Sequence, residues 1–206
     1  MSRAVVGAPG AMIVIISGPS GVGKDTIIRT LRKHYPDPRR HFVVTYKTRQ
    51  PRDGEVAGTD YQFVSLDDFL RMQVEGELLE ASEVHGHWSG TPRDQVAEAL
   101  TAGRCAILKI DVQGAEKIKA LVPDALRIFV APPSPEDRRR RLADRATETE
   151  EEQAQRNRDA ELEMERMGDY DYVVINETGQ VRRTAEQIDR IIRTERDDHP
   201  DRRITI

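Results

Sequence analysis

One stretch, Gly18-Pro19-Ser20-Gly21-Val22-Gly23-Lys24-Asp25-Thr26, limits what this chain can fold into more than any other. A short apolar run, Met12 to Ile16, leads into it, and a helical pattern, Thr26 to His34, leads out. A strand, a glycine-rich turn and a helix start give G-x-x-x-x-G-K its physical meaning as a phosphate cradle. The glycines let successive backbone N–H groups converge, and the helix N-terminus adds the positive end of its dipole. Lys24 reaches the β and γ phosphates as a mobile charge. One letter departs from the pattern. The residue after the lysine is ordinarily Ser or Thr, whose hydroxyl binds Mg²⁺, and here it is Asp25.

Strand-like and helix-like segments alternate along the chain, which predicts an α/β fold with a parallel sheet. The strands read as Met12–Ser17, His41–Thr45, Cys105–Ile110, Leu126–Ala131 and Tyr172–Ile175, the helices as Thr26–Tyr35, Asp94–Thr101, Val112–Leu121 and Thr184–Arg193. Two segments interrupt this core. Residues 45–97 carry a short strand at Tyr61–Val64, a helix capped by Ser65, and antiparallel strand material at Leu78–Val84 and His87–Ser89; 46–58 reads as loop. Residues 135–168 are dominated by charge blocks, which most often form solvated helix faces. The expected organisation is a flexible extension over 1–11 and a core of 12–44, 98–134 and 169–193. An insert covers 45–97, a second 135–168, and a polar mobile tail 194–206. Inserts at the carboxyl ends of parallel strands are where open α/β sheets bind ligands.

Composition narrows the function classes. With 32 basic and 36 acidic residues and a net charge of −4, a general nucleic-acid binder is not expected. No apolar run is long enough to span a bilayer, and residues 1–11 do not read as a signal peptide. The single cysteine, Cys105, lies in an apolar run, so a buried thiol in a reducing cytoplasm is the expectation.

Two further features carry chemistry. Asp111 closes the apolar strand Ala106 to Ile110, one crossover from the phosphate loop, where an acid can hold Mg²⁺ or its water shell or simply cap the next helix. Thr48-Arg49-Gln50-Pro51-Arg52-Asp53-Gly54-Glu55 places two arginines on a glycine-bearing loop ahead of Tyr61. Guanidinium groups so placed can grip an anion bidentately, with the tyrosine hydroxyl as a further donor; two exposed surface arginines are the plainer reading.

The segment T-Y-K-T-R-Q-P-R-D-G-E-V-A-G-T-D-Y-Q-F, Thr45 to Phe63, resembles the acceptor-binding segment of guanylate kinases. The resemblance runs from Met12 to about Arg193 through G-P-S-G-V-G-K, G-E-L-L-E-A, I-D-V-Q-G, I-F-V-A-P-P-S, R-A-T-E-T-E and V-V-I-N, in order. It implies a P-loop NTPase-type parallel sheet flanked by helices, with an α+β acceptor-binding insert and a helical lid. It implies ATP-dependent, Mg²⁺-assisted phosphorylation of GMP and dGMP by a cytoplasmic monomer or homodimer with neither nucleic-acid nor membrane partners.

Carried over by position, the donor side is Gly18, Ser20, Gly21, Val22, Gly23, Lys24, Asp25 and Thr26, with Asn176 at the adenine. Arg49, Arg52 and Tyr61 grip the acceptor phosphate, and Glu80 pairs with the guanine N1 and N2 donors. Thr45 and Thr91 are hydroxyl positions around the base, and Asp111 stands beside them. Arg145 and Arg156 are lid arginines that close over the transferring group, so Lys24, Arg49, Arg145 and Arg156 form the catalytic set. Asp25 and Asp111 are the metal candidates.

Five positions depart from the family pattern: Asp25, Lys47 for threonine, Ser89 for a second phosphate-gripping tyrosine, Lys109 for the first acid of D-I-D, and Ala146 for a lid glycine. Two of them raise the hypothesis that Lys47 or Lys109 supplies the phosphate grip a tyrosine in place of Ser89 would give, or that the acceptor carries more charge than GMP. Compensated drift around an unchanged substrate is the plain alternative. A same-fold kinase for another phosphorylated acceptor, such as ribose 1,5-bisphosphate, and a non-catalytic interaction module stay open as other functions.

Overall fold

The structure is a computed structural model that describes residues 5–84, 86–143 and 150–206. Strand β1 (Met12–Ser17) is buried at every position, because it is flanked on both edges and covered on both faces. It pairs in parallel with β7 (Cys105–Lys109) on one side and β8 (Leu126–Ala131) on the other. Strands β2 (Arg40–Phe42) and β9 (Tyr172–Ile175) complete a five-stranded sheet in the order β2-β7-β1-β8-β9, every pair parallel. Side chains alternate across a strand, so the unbroken apolar run of β1 serves two cores. Ile13 and Ile15 pack with Leu108, Phe129 and the helices α3 (Arg93–Thr101) and α4 (Val112–Leu121). Met12, Val14 and Ile16 pack with Ile128 and the helices α1 (Lys24–His34) and α7 (Val181–Asp198). Each fully buried Ile or Leu contributes roughly 1.5–3 kcal/mol relative to exposure, so this doubly covered strand anchors the loop that follows it.

A second sheet, order β4-β3-β6-β5, comes from the first interrupting segment: β3 (Tyr46–Lys47), β4 (Gln62–Phe63), β5 (Leu78–Val84) and β6 (His87–Pro92). The β5–β6 and β3–β6 pairs are antiparallel and β3–β4 is parallel. Between them runs α2 (Leu66–Val74), whose N-cap Ser65 accepts a hydrogen bond from the Asp68 N–H at 3.1 Å. Its Phe69 is fully buried against Trp88 and Gly90. The second charged segment contributes α5 (Pro135–Ala143) and α6 (Glu150–Glu165). No described helix is long and apolar enough to cross a membrane.

Three expectations need correction. The segment 46–58 is not all loop, since it opens with β3. The last helix extends to Val181–Asp198, its apolar stripe being Ala185, Ile188 and Ile192. The extension and the tail are not loose ends. Val5 and Ile206 exchange backbone hydrogen bonds, Val6 bridges Thr205, and Gly7 donates to the Ile204 carbonyl at 2.7 Å. Ile204 is 1% exposed and belongs to the core beside Leu100. Pairing between the two ends of the chain leaves no periodic signal in a polar tail, which is why the sequence does not reveal it.

A mobile tail would tolerate truncation of Ile204. We predict instead that Ile204→Ala lowers unfolding stability by about 2–4 kcal/mol, as for other buried large-to-small changes. Urea denaturation followed by circular dichroism measures it, and an unchanged midpoint would return the tail to disorder.

Candidate active site

The phosphate loop leaves the carboxyl end of β1 where only glycine fits. Gly18 has φ 137°, and a Cβ there would lie 2.2 Å from the Val130 carbonyl oxygen of β8. Gly23 is the N-cap of α1 at φ 94°, and its Cβ would come within 2.9 Å of the Asn176 amide nitrogen. Lys24 lies across the loop, its Nζ donating to the carbonyls of Gly18 and Pro19. Burial lowers its pKa, against the pull of Glu163, Asp111 and Asp25. Thr26 is exposed on α1, away from the cleft lining.

The resemblance puts Asn176 at the donor's base. Its side chain is bonded to the protein at both ends: Nδ2 donates to the Val22 carbonyl at 2.8 Å, and Oδ1 accepts from Thr184 Oγ1 at 3.0 Å, leaving one N–H and one lone pair. It braces the loop from β9. Beside it Arg141, one member of an arginine run with nothing in sequence to single it out, donates to the Asn176 carbonyl and to Thr178 Oγ1, both at 2.9 Å.

Asp25 is the junction of three segments. Its Oδ1 accepts from the Tyr61 hydroxyl at 2.8 Å and from Lys109 Nζ at 2.5 Å. Lys109 also donates to the Asp60 carbonyl at 3.2 Å and lies 3.7 Å from the centre of the Tyr61 ring. Burial alone would raise the Asp25 carboxyl. The Lys109 ammonium, with the Tyr61 hydroxyl and Lys24, outweighs burial and holds it down at about 2. Tyr61 is driven well above its ordinary value by burial and by Asp25. The Asp60 carboxylate in turn takes Arg29 of α1 bidentately, at 3.0 and 2.8 Å.

Facing the loop is an open cleft of roughly 890 Å³, its solvent mouth included, lined by Lys47, Arg49, Arg52, Asp111 and Glu163 as well as the loop. Glu55 holds Arg49 bidentately at 2.7 and 2.6 Å and accepts the Arg52 N–H at 2.8 Å, which fixes the turn carrying both arginines. The Arg49 guanidinium lies over the Tyr61 and Phe63 rings at 5.4 and 5.7 Å. Glu163, on α6, is a cleft residue that the charge pattern conceals; burial raises its pKa against the attraction of Lys24.

Thr45, just before β3, and Glu80 and Thr91 on β5 and β6 are each buried, and none of them lines the cleft. Glu80 accepts from Thr91 Oγ1 at 2.8 Å and from Ser82 Oγ at 3.2 Å, and Ser82 has no signal in sequence. Burial raises the Glu80 carboxyl, and Thr91 offsets part of this. Gly114 connects this group to the cleft. Its N–H donates to Asp111 Oδ1 at 2.9 Å, and a Cβ on it would lie 3.1 Å from Glu80 Oε2. Asp111 is therefore both the cap of α4 and a cleft residue.

Among the described residues no cluster of three or more His, Cys, Asp or Glu is arranged for a metal. Three carboxylates line the cleft, Asp25, Asp111 and Glu163, and Mg²⁺ typically takes one or two carboxylates plus substrate phosphates and water. The donor set fits. Arg145 lies outside the described residues, as does the side chain of Arg156, whose backbone belongs to α6.

A glycine-rich loop at the end of the central strand of a parallel sheet, opposed by a cation-lined insert, defines a P-loop kinase fold. A family model described as guanylate kinase matches residues 11–195. The guanylate kinase of Mycobacterium sp. (strain MCS) is 45% identical over 166 residues, covering 80% of this chain and 83% of its own. That of Mycobacterium bovis (strain ATCC BAA-935 / AF2122/97) is 42% identical over 174 residues, covering 82% and 83%. The crystal structure of guanylate kinase from Anaplasma phagocytophilum superposes with a TM-score of 0.74 at 31% identity, over 93% of this chain and 88% of that one. The chain belongs to the guanylate kinase family.

The Asp25 carboxyl is held below its ordinary value of 3.8, so its contribution to stability is full above about pH 4 and fades as pH falls toward 2. Lys109→Met removes the strongest opposing charge and leaves only the Tyr61 hydroxyl and Lys24 to oppose burial. We expect a loss of about 1–3 kcal/mol at pH 7, reduced from the fully buried range because Asp25 keeps solvent contact. The acid-unfolding midpoint should move to higher pH. An acid-unfolding profile identical to the parent's would refute the pairing.

Proposed function

We propose that this protein transfers the γ-phosphoryl group of ATP to the phosphate of GMP, giving ADP and GDP, and that dGMP is also an acceptor. The observation that carries the reading is the pairing of two recognition sets around one cleft. The phosphate loop with Lys24 forms one side, and Arg49, Arg52 and Tyr61 the other. Glu80, bonded to Thr91 and Ser82, lies against Gly114, whose N–H is held by the cleft residue Asp111.

The attacking group is a phosphate oxygen, already ionised at neutral pH, so no strong general base is needed. The protein has to bring two anions together in line and neutralise charge spread over the moving group. Lys24 and the loop N–H groups hold the donor, while Arg49, Arg52 and Tyr61 hold the acceptor phosphate. Engaging that phosphate draws the Tyr61 hydroxyl from Asp25 Oδ1. Each Glu80 oxygen accepts one hydroxyl and keeps a second lone pair for the guanine N1 and N2 donors; adenine offers no matching edge. Asp25 and Asp111 would hold Mg²⁺, directly or through water, and the ion would supply charge neutralisation at the donor phosphates. In this reading residues 135–168 are a lid whose Arg145 and Arg156 complete the cationic shell, and closure excludes water that would otherwise hydrolyse ATP. Residues 45–97 are the acceptor-binding insert. The same reading makes the protein a cytoplasmic monomer or homodimer with neither nucleic-acid nor membrane partners; a net charge of −4 argues against a general nucleic-acid binder.

The test is ADP release over GMP, dGMP, IMP, AMP, UMP, CMP and ribose 1,5-bisphosphate. We expect GMP and dGMP to exceed AMP by about 10²-fold or more in kcat/KM, the margin a matched polar edge supplies. Glu80→Gln replaces one acceptor by a donor and should cost GMP about 10- to 100-fold while leaving AMP nearly unchanged. Turnover confined to a non-guanine acceptor would overturn the assignment.

A further inference from the structure

Among the cations that line the cleft, Lys47 is held differently from the others. Lys24 is bonded to two loop carbonyls, Lys109 to Asp25, and Arg49 to Glu55. Among the described residues Lys47 has neither a hydrogen bond nor an ion pair; its ammonium only faces the Tyr61 ring at 5.4 Å. Its placement follows from strand register. Lys47 on β3 is the cross-strand partner of Ser89 on β6, so the two side chains leave the same face of the sheet. Ser89 is small and 3% exposed, so on this face the long side chain of the pair is Lys47. Arg49 lies two residues along from Lys47, and Tyr61 has both cations near its ring. Lys47 thus points where a phosphate gripped by Arg49 and Tyr61 would lie.

We propose that Lys47 is an acceptor-binding residue, its ammonium contacting the phosphate monoester dianion of the nucleotide across from the small residue Ser89. The inference rests on the proposed function and adds a residue to the acceptor side that separates the two candidates raised by the sequence. Lys109 is committed to Asp25, and Lys47 is the one of the two left to act. An ammonium matches a dianion as a point charge without the bidentate geometry of Arg49. Burial pushes the Lys47 ammonium down to about 8, against the attraction of Asp111 and Glu80, with Arg49 and Lys109 deepening the shift. Tyr61 before β4 and His87 on β6 also border this part of the cleft, as do Arg52 and Glu163 from the loop and from α6. Asp25 and Lys24 close it from the phosphate loop. The charged form of Lys47 is present below about pH 8 and lost above it, so acceptor capture should weaken there.

The experiment compares wild type, Lys47→Met and Lys47→Arg by ADP release with GMP varied at saturating ATP and Mg²⁺, from pH 6.5 to 9.5, and by equilibrium binding of GMP. Methionine keeps an unbranched chain beside Tyr61 and removes the charge. We expect Lys47→Met to raise the GMP KM and Kd by about 10- to 100-fold, the range for a charge-assisted contact, with the ATP KM unchanged. Lys47→Arg should restore most of the affinity and lose the fall of kcat/KM that wild type shows above about pH 8. Equal GMP binding by wild type and Lys47→Met would overturn the inference, as would an unchanged alkaline limb in Lys47→Arg. If wild type binds GMP but does not phosphorylate it, the proposed function fails, and the binding comparison still decides the role of Lys47.

Discussion

The ion pair of Asp25 with Lys109 is the contact on which the arrangement of the two sheets turns. A buried ammonium and a largely enclosed carboxylate are tolerated only together, because either alone is costly to desolvate. Their pairing ties the first turn of α1 to the end of β7, and Tyr61 on the same carboxylate oxygen ties both to the second sheet. Asp60, one residue earlier, extends the tie through its carboxylate to Arg29, while Arg32 reaches the Thr59 carbonyl at 3.0 Å. The second sheet is thereby oriented by charge along one edge and by packing of β5 on α4 along the other, where Lys117 donates to the Ala81 carbonyl at 2.5 Å. Hydrophobic contact holds it near; polar contacts fix its angle.

The same logic governs the cleft. Five cations, Lys24, Lys47, Arg49, Arg52 and Lys109, line a space that would be self-repelling without the acceptors among them. Glu55, Asp25 and the loop carbonyls disperse that repulsion. Binding an anion in such a place exchanges one set of partners for another, and the affinity is a difference between the two sets. The arginine turn is shaped by Glu55 before any ligand contributes, which lowers the ordering cost of gripping a phosphate.

The bounds of β1, α4, β8 and β9 are legible in the sequence because each is a local matter: an apolar run or a helical stripe bounded by glycine, proline or polar residues such as Asp111, Asp171 and Asn176. What escapes is non-local. β3 is two residues long and exists only because β6 and β4 flank it, so its own sequence carries no strand signal. The role of Asn176 in bracing the phosphate loop through Val22 and Thr184 is likewise unreadable along the chain, because its partners lie 154 and 8 residues away. Arg141 and Glu163 are hidden in a run of charges whose members look alike in one dimension. Most instructive are the departures from the family pattern. Along the chain, Asp25, Lys47, Ser89 and Lys109 are four separate anomalies; in three dimensions they are two adjacencies, one between Asp25 and Lys109 and one between Lys47 and Ser89. A single sequence shows substitutions, and only the fold shows which of them belong together.

The bonded termini have a topological consequence. Val5 and Ile206 meet beneath the amino end of β1, while the phosphate loop leaves its carboxyl end, so the two features lie at opposite poles of the central sheet. Residues 5–7 and 204–206 are hydrogen-bonded neighbours, so bridging them would close the described backbone into a ring whose join falls away from the cleft. Joining the ends with a short linker and reopening the ring at the exposed turn around Gly179 would keep the phosphate loop and the acceptor segment on one uninterrupted stretch. The route of the backbone through the cleft is thus independent of where such a ring is opened.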